Sequence, residues 1–166
     1  MTSTYPPASD GATRVLWRWT SRTPDVAARA RVALICALDQ VGCDDEVLDD
    51  TVLAVSELVA NALEHAPGPY EMRLRCTAAE LICEVEDRDP RIPAVPAFPA
   101  AALFEPAPEK RGGGVDALLE VLGERGRGLH IVHQLTCGAW GFTARRCEGV
   151  KVAWAAIPRA RVRVNG

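Results

Sequence analysis

Two alternating segments, Tyr70 to Cys76 and Leu81 to Asp87, constrain this chain more than any other feature. The residues between them, Thr77-Ala78-Ala79-Glu80, are few enough to close a hairpin. Met72, Leu74 and Cys76 share one parity of the first segment. Leu81, Cys83 and Val85 share one parity of the second. Closing the turn there sets Cys76 opposite Leu81, Leu74 opposite Cys83 and Met72 opposite Val85. Both apolar sets then land on one face, and a slip of one residue would turn one set to solvent. A sheet with one apolar face needs a second layer to cover it.

Helices upstream can supply that layer. Arg14 to Thr20 predicts a strand, with Val15, Trp17 and Trp19 on one parity. Thr23-Pro24-Asp25 predicts a helix start, with Thr23 as the capping hydroxyl. Val26, Ala30, Ala33, Ala37 and Val41 then follow helical spacing, and Gly42 closes the helix. Asp44-Asp45 opens a second helix that runs to about Ala66 and stops at Pro67-Gly68. From Arg88 to Arg125 regularity falls: prolines recur from Pro90 to Pro108, Gly112-Gly113-Gly114 follows, and Val115 to Leu122 predicts only a local helix. Gly126-Arg127-Gly128 then leads into a helix over 129–135, and two last strands are expected around Ala139–Ala144 and Lys151–Ile157. The order predicts an α+β two-layer sandwich, with helices on one face of a mostly antiparallel sheet. Residues 1–12 are expected to form a disordered tail, 13–158 the domain with a lid over 88–125, and 159–166 a polar tail.

Bulk properties exclude several classes. The net charge is −3 and the pI about 5.6, which argues against a direct nucleic-acid surface. None of the six cysteines has a C-x2-C neighbour, so packed, reduced thiols are expected rather than a zinc site. Neither a leader pattern nor a membrane-spanning run is present, and a cytoplasmic location is expected.

Three clusters can carry chemistry. On the second helix, Val52, Val55, Leu58, Val59, Ala62 and Ala66 gather on one side, and Glu57, Asn61, Glu64 and His65 on the other. Glu57 and Asn61 are one turn apart, so a carboxylate and a carboxamide can act together on a hydrated cation and a nucleophile. They also suit the wet face of any amphipathic helix. Asp87 shares the inward parity of Leu81, Cys83 and Val85, where an acid needs a partner and can accept hydrogen bonds from an exocyclic amine. If the strand ends at Glu86, Asp87 is a turn acid instead. Gly126-Arg127-Gly128 at a helix start can offer free N–H groups to phosphate, or it is a plain glycine turn. The triple glycine at 112–114 lacks the Lys-Ser/Thr of a phosphate loop and fits lid flexibility.

The string Glu57-Leu58-Val59-Ala60-Asn61-Ala62-Leu63-Glu64-His65-Ala66 resembles the N-box of the GHKL (Bergerat-fold) ATPases, in particular their anti-sigma serine-kinase branch. Gly126-Arg127-Gly128-Leu129-His130-Ile131-Val132 resembles the second glycine box. Trp140-Gly141 and the run from Gly149 to Trp154, with Lys151 inside it, resemble the closing strands. The resemblance spans Arg14 to Pro158. It implies that Asn61 ligates Mg²⁺ on the phosphates of ATP and that Glu57 is the general base toward a partner's serine. It further implies that Asp87 holds the adenine amine. Gly126, Arg127 and Gly128 would form the phosphate turn, with Leu129 at the head of the following helix and His65 near phosphate. The expected partners are a sigma factor and a STAS-type anti-anti-sigma protein, and a homodimer is conceivable. One departure stands out. Asp87 is followed by Arg88-Asp89-Pro90-Arg91-Ile92-Pro93, where the first glycine box has Asp-x-Gly-x-Gly.

Overall fold

The hairpin forms in the register its parity requires. In the computed structural model, which describes residues 11–94 and 128–159, strand β2 (Tyr70–Cys76) pairs antiparallel with β3 (Glu80–Asp87). Met72 faces Val85, Leu74 faces Cys83 and Cys76 faces Leu81. The turn closes through Thr77, whose N–H donates to the Glu80 carbonyl and whose Oγ1 accepts from the Glu80 N–H. β1 (Thr13–Trp19), β4 (Trp140–Arg145) and β5 (Val150–Pro158) complete a five-stranded sheet of order β1-β2-β3-β5-β4. Every pairing in it is antiparallel. β5, last in sequence, lies between β3 and β4 and is buried at every position except Pro158.

Helices α1 (Val26–Gln40), α2 (Asp45–His65) and α3, helical over 128–136, supply the second layer. α1 buries Val26, Ala30, Leu34, Ala37 and Leu38. α2 buries Val47, Thr51, Ala54, Val55, Leu58, Val59 and Ala62. Both stripes join the inward residues of β2, β3 and β5 in one core with Trp19, Leu129 and Val132. Thr51 tolerates this position because its Oγ1 donates to the Val47 carbonyl at 2.6 Å. The acids Asp45 and Glu46 stand in the first turn of α2, where the helix dipole favours negative charge. Among the described residues no helix is long and apolar enough to cross a membrane.

Two local expectations fail. β1 does not keep one parity: its register shifts between Val15 and Trp17, so Leu16 is an extra residue. Val15 therefore pairs with outward-facing Arg73 and is 40% exposed, whereas Trp17 and Trp19 face inward. Nor does Thr23 cap α1. Its Oγ1 accepts from the Thr20 N–H instead, and Asp25 enters the helix from a left-handed conformation at φ 54° without a side-chain cap. Gly42, at φ 67°, closes α1 as expected.

The sheet's outer face carries a small cluster of Ile82, Trp154 and Ala156. Beside it Arg73 is held by Glu71, Glu84 and Glu86 at 2.9–3.0 Å. Arg159, one residue past the expected domain boundary, donates to the carbonyls of Thr77 and Val41 and ties the end of β5 to the hairpin turn and to α1. The six described cysteines are free thiols; burial pushes those of Cys43 and Cys76 above the usual thiol value and raises buried Cys83 strongly. The expected N-terminal tail up to residue 10, the lid from residue 95, the local helix from Val115 to Leu122, and the tail from residue 160 lie outside the described residues.

Leu58 is fully buried at the junction of α2 and the sheet. Leu58→Ala should lower unfolding free energy by about 2–5 kcal/mol, read from the urea midpoint at unchanged slope.

Candidate functional site

α2 sets its polar groups at the margin of its buried face. A helix advances about 100° per residue, so the burial of Val47, Thr51 and Ala54 rotates the apolar arc toward Glu57 and Asn61. The two are half-buried flank residues and do not point straight to solvent as the apolar positions alone suggested. Glu57 touches the head of α3: a Cβ built on Gly128 would lie 2.6 Å from its Oε2. The N-box and the second glycine motif, far apart in sequence, thus meet backbone against carboxylate. Leu129 buries its side chain in the core, so only its backbone is left for a ligand. α3 is held to β4 by Trp140, whose Nε1 donates to His133 Nδ1 at 3.0 Å.

Strand β3 runs through Asp87, which settles the alternative of a turn acid. Asp87 points inward and is 2% exposed. Its partner is Lys151, directly opposite on β5, with Nζ 3.2 Å from Oδ2. Oδ1 accepts the Asp89 N–H at 2.9 Å. Burial raises the Asp87 carboxyl above the ordinary carboxylate value, opposed by that N–H and by the Lys151 ammonium. Burial, together with the nearby Asp87 charge, raises the Tyr70 phenol. Tyr70 stacks on Trp19, which stacks on Trp17, and its hydroxyl donates to the Ala66 carbonyl that ends α2.

Asn61, His65 and Lys151 line a cavity of 270 Å³ with Asp89, Arg91, Ile92 and Pro93. Among the described residues the carboxamide of Asn61 and the carboxylate of Glu57 make no hydrogen bond or ion pair. A half-buried carboxamide with unmet capacity, facing a lysine across a cavity, suits an anionic or cationic guest. His65 keeps 38% of its side chain exposed and lies 3.7 Å from Glu64. The volume sits just under the about 300–1,000 Å³ of small-molecule sites, enough for part of a nucleotide. Among the described residues no group of three His, Cys, Asp or Glu side chains gathers as a metal site, so a cation beside Asn61 would draw further ligands from a bound anion. Gly126 and Arg127 lie outside the described residues.

Three charged lining groups, Lys151, Asp89 and Arg91, are absent from the set the sequence predicts. Lys151 had a signal, because an inward acid demands a cation and the register with β5 names it. Asp89 and Arg91 had none: they form a local pair at 2.8 Å, and Asp89 also accepts the Arg91 N–H. That pairing holds the Asp89 carboxyl well below the usual carboxylate range. In this loop the proline-containing segment takes the place of the glycines that the related motif carries.

Lys151→Met should leave a buried carboxylate without its cation and cost about 3–5 kcal/mol at neutral pH. The raised Asp87 takes a proton as pH falls, so the loss should shrink on acidification. Asp87→Asn in the same background should recover most of it, as denaturation curves at two pH values would show.

A family model described as histidine kinase-like ATPase domain matches residues 20–138, more than half of the chain. No curated protein matches it. The matched span takes in α1, α2, Asp87 and the head of α3 together, and the chain belongs to the histidine kinase-like ATPase domain family.

Proposed function

We propose that this domain is an ATP-dependent serine/threonine protein kinase of the anti-sigma type, acting in the cytoplasm. The observation that carries this reading is the Glu57–Asn61 pair. A carboxylate and a carboxamide stand one turn apart, half-buried and unpaired among the described residues, with Gly128 pressed against the carboxylate. Asn61 would hold Mg²⁺, which when bound neutralises phosphate charge. Glu57 would take the proton from a serine hydroxyl brought by a partner. Asp87 would accept from the adenine amine, and Gly126, Arg127, Gly128 and the Leu129 backbone would face phosphate, with His65 near it. The partners in this reading are a sigma factor, held by sequestration, and a STAS-type anti-anti-sigma protein as phosphoacceptor. Homodimers are compatible with it, and direct nucleic-acid contact is not part of it.

One observation favours a second reading, in which the domain binds partners without using ATP. Both Asp87 oxygens are already engaged, one by the Asp89 N–H and one by Lys151, and the residue is 2% exposed. An adenine amine must share that carboxylate. Each oxygen has two lone pairs, so sharing is chemically open once the 88–94 loop moves.

Labelled-ATP transfer and calorimetry separate the two. Glu57→Ala should cut phosphoryl transfer to an acceptor protein by about 100-fold or more and spare ATP affinity. Asn61→Ala should weaken ATP binding in Mg²⁺ much more than in its absence. Unchanged transfer in Glu57→Ala removes that residue from the mechanism, and absence of ATP binding by the wild type overturns the kinase reading and leaves the second. ATP affinity should also fall as pH drops, beginning above the ordinary carboxylate range, because burial raises the Asp87 carboxyl and its protonated form is a weaker acceptor for the adenine amine.

A further inference from the structure

Lys151 has more hydrogen-bonding capacity than its ion pair uses. Its side chain is 5% exposed, and Nζ donates to Asp87 Oδ2 at 3.2 Å. An ammonium has three N–H donors, and among the described residues no second hydrogen bond or ion pair takes the other two. The Phe142 ring, with its centroid 5.9 Å from Nζ, meets the charge and supplies no lone pair. Buried donors left over in this way call for an acceptor. The 270 Å³ cavity beside Asn61 is lined by Lys151 and not by Asp87, so a guest at this wall touches the ammonium. The donor is also rigidly placed: β5 lies between β3 and β4, with Lys151 opposite Asp87 on one side and Ala144 on the other. Charges at the wall come in pairs, Lys151 with Asp87 and Arg91 with Asp89. A wall balanced like this suits the partial charge of a carbonyl oxygen better than the full charge of a phosphate, which the Asp89 carboxylate would repel.

We infer that Lys151 reads the base of the nucleotide, so that the site accepts 6-oxopurine triphosphates alongside ATP, with the ammonium donating to the base oxygen. The inference rests on a nucleotide entering this cavity, as the proposed function has it, and it names which purines can follow. An acid alone would reject a 6-oxo base, because two acceptors would meet with no proton between them. With Lys151 beside Asp87 the wall offers an acceptor and a donor together. An adenine amine must share the Asp87 carboxylate, whose oxygens already accept from Asp89 and Lys151. A base oxygen takes one of the remaining Lys151 N–H groups and leaves the ion pair as it is.

Calorimetry in Mg²⁺ with ATP, ITP and purine riboside triphosphate tests this. The three share ribose and triphosphate and carry an amine, an oxygen or a hydrogen at the 6-position of the base. Wild-type protein should bind ITP about tenfold or more tighter than purine riboside triphosphate, and no more than about threefold weaker than ATP. Lys151→Met should bring ITP down to the level of purine riboside triphosphate, while ATP keeps its advantage. Melting curves would check that this variant folds; should it fail to, the three wild-type affinities decide the matter by themselves. The inference is overturned if ITP gains less than about tenfold over purine riboside triphosphate, or trails ATP by more than about threefold. It is also overturned if folded Lys151→Met keeps its ITP affinity unchanged. In each of these cases ATP still binds and the nucleotide reading stands. If none of the three triphosphates binds, that reading falls and this inference falls with it.

Discussion

The seal between α2 and the inner face of β3 and β5 sets everything at the nucleotide end. Leu58, Val55, Val59 and Ala62 share with Leu81, Cys83 and Val85 of β3 and Ala153, Ala155 and Ile157 of β5 a core that excludes water. That contact fixes the rotation of α2 about its own axis. Because helix phase is rigid, it also fixes where Glu57 and Asn61 emerge: at the rim of the seal, half in and half out. The Glu57 carboxylate stands at that rim, partly covered by the protein. Gly128 completes the arrangement by bringing the start of α3 against it without a side chain in between.

At the other side of the cavity the constraint is electrostatic. Asp87 and Lys151 are both buried and face each other across β3 and β5. Each would be costly alone, so each requires the other. Their strand positions are therefore coupled: an acid at the inner end of β3 makes sense only with β5 as its neighbour. The Asp89–Arg91 pair repeats the logic locally at the cavity mouth, where two short contacts replace the flexibility of glycine.

Much of this was legible in the residues, and the failures have plain causes. The β2–β3 register followed from parity because a slip of one position reverses every side chain, leaving one solution. Parity also turned Asp87 inward. It misled at Val15 because a single extra residue, Leu16, resets the alternation, and nothing about leucine announces a bulge. Thr23 looked like a cap, since Thr-Pro-Asp is a common helix opening, but its hydroxyl found a nearer donor in the Thr20 N–H. Glu57 and Asn61 were named from spacing alone, yet their half-burial depended on Thr51, a polar residue that enters the core by bonding its own helix. Asp89 and Arg91 were invisible because their pairing is a loop conformation, with no period to detect.

The place of β5 has a consequence for how the protein comes into being. Although it comes last among the described strands, it sits inside the sheet, with β3 on one side and β4 on the other. Until it emerges, β3 has an open edge and Asp87 has no lysine. A chain under synthesis can form α1, α2 and the β2–β3 hairpin early, but it cannot complete this sheet until β5 leaves the ribosome. Truncation from the C-terminal end would therefore unmake the middle of the protein before its edge.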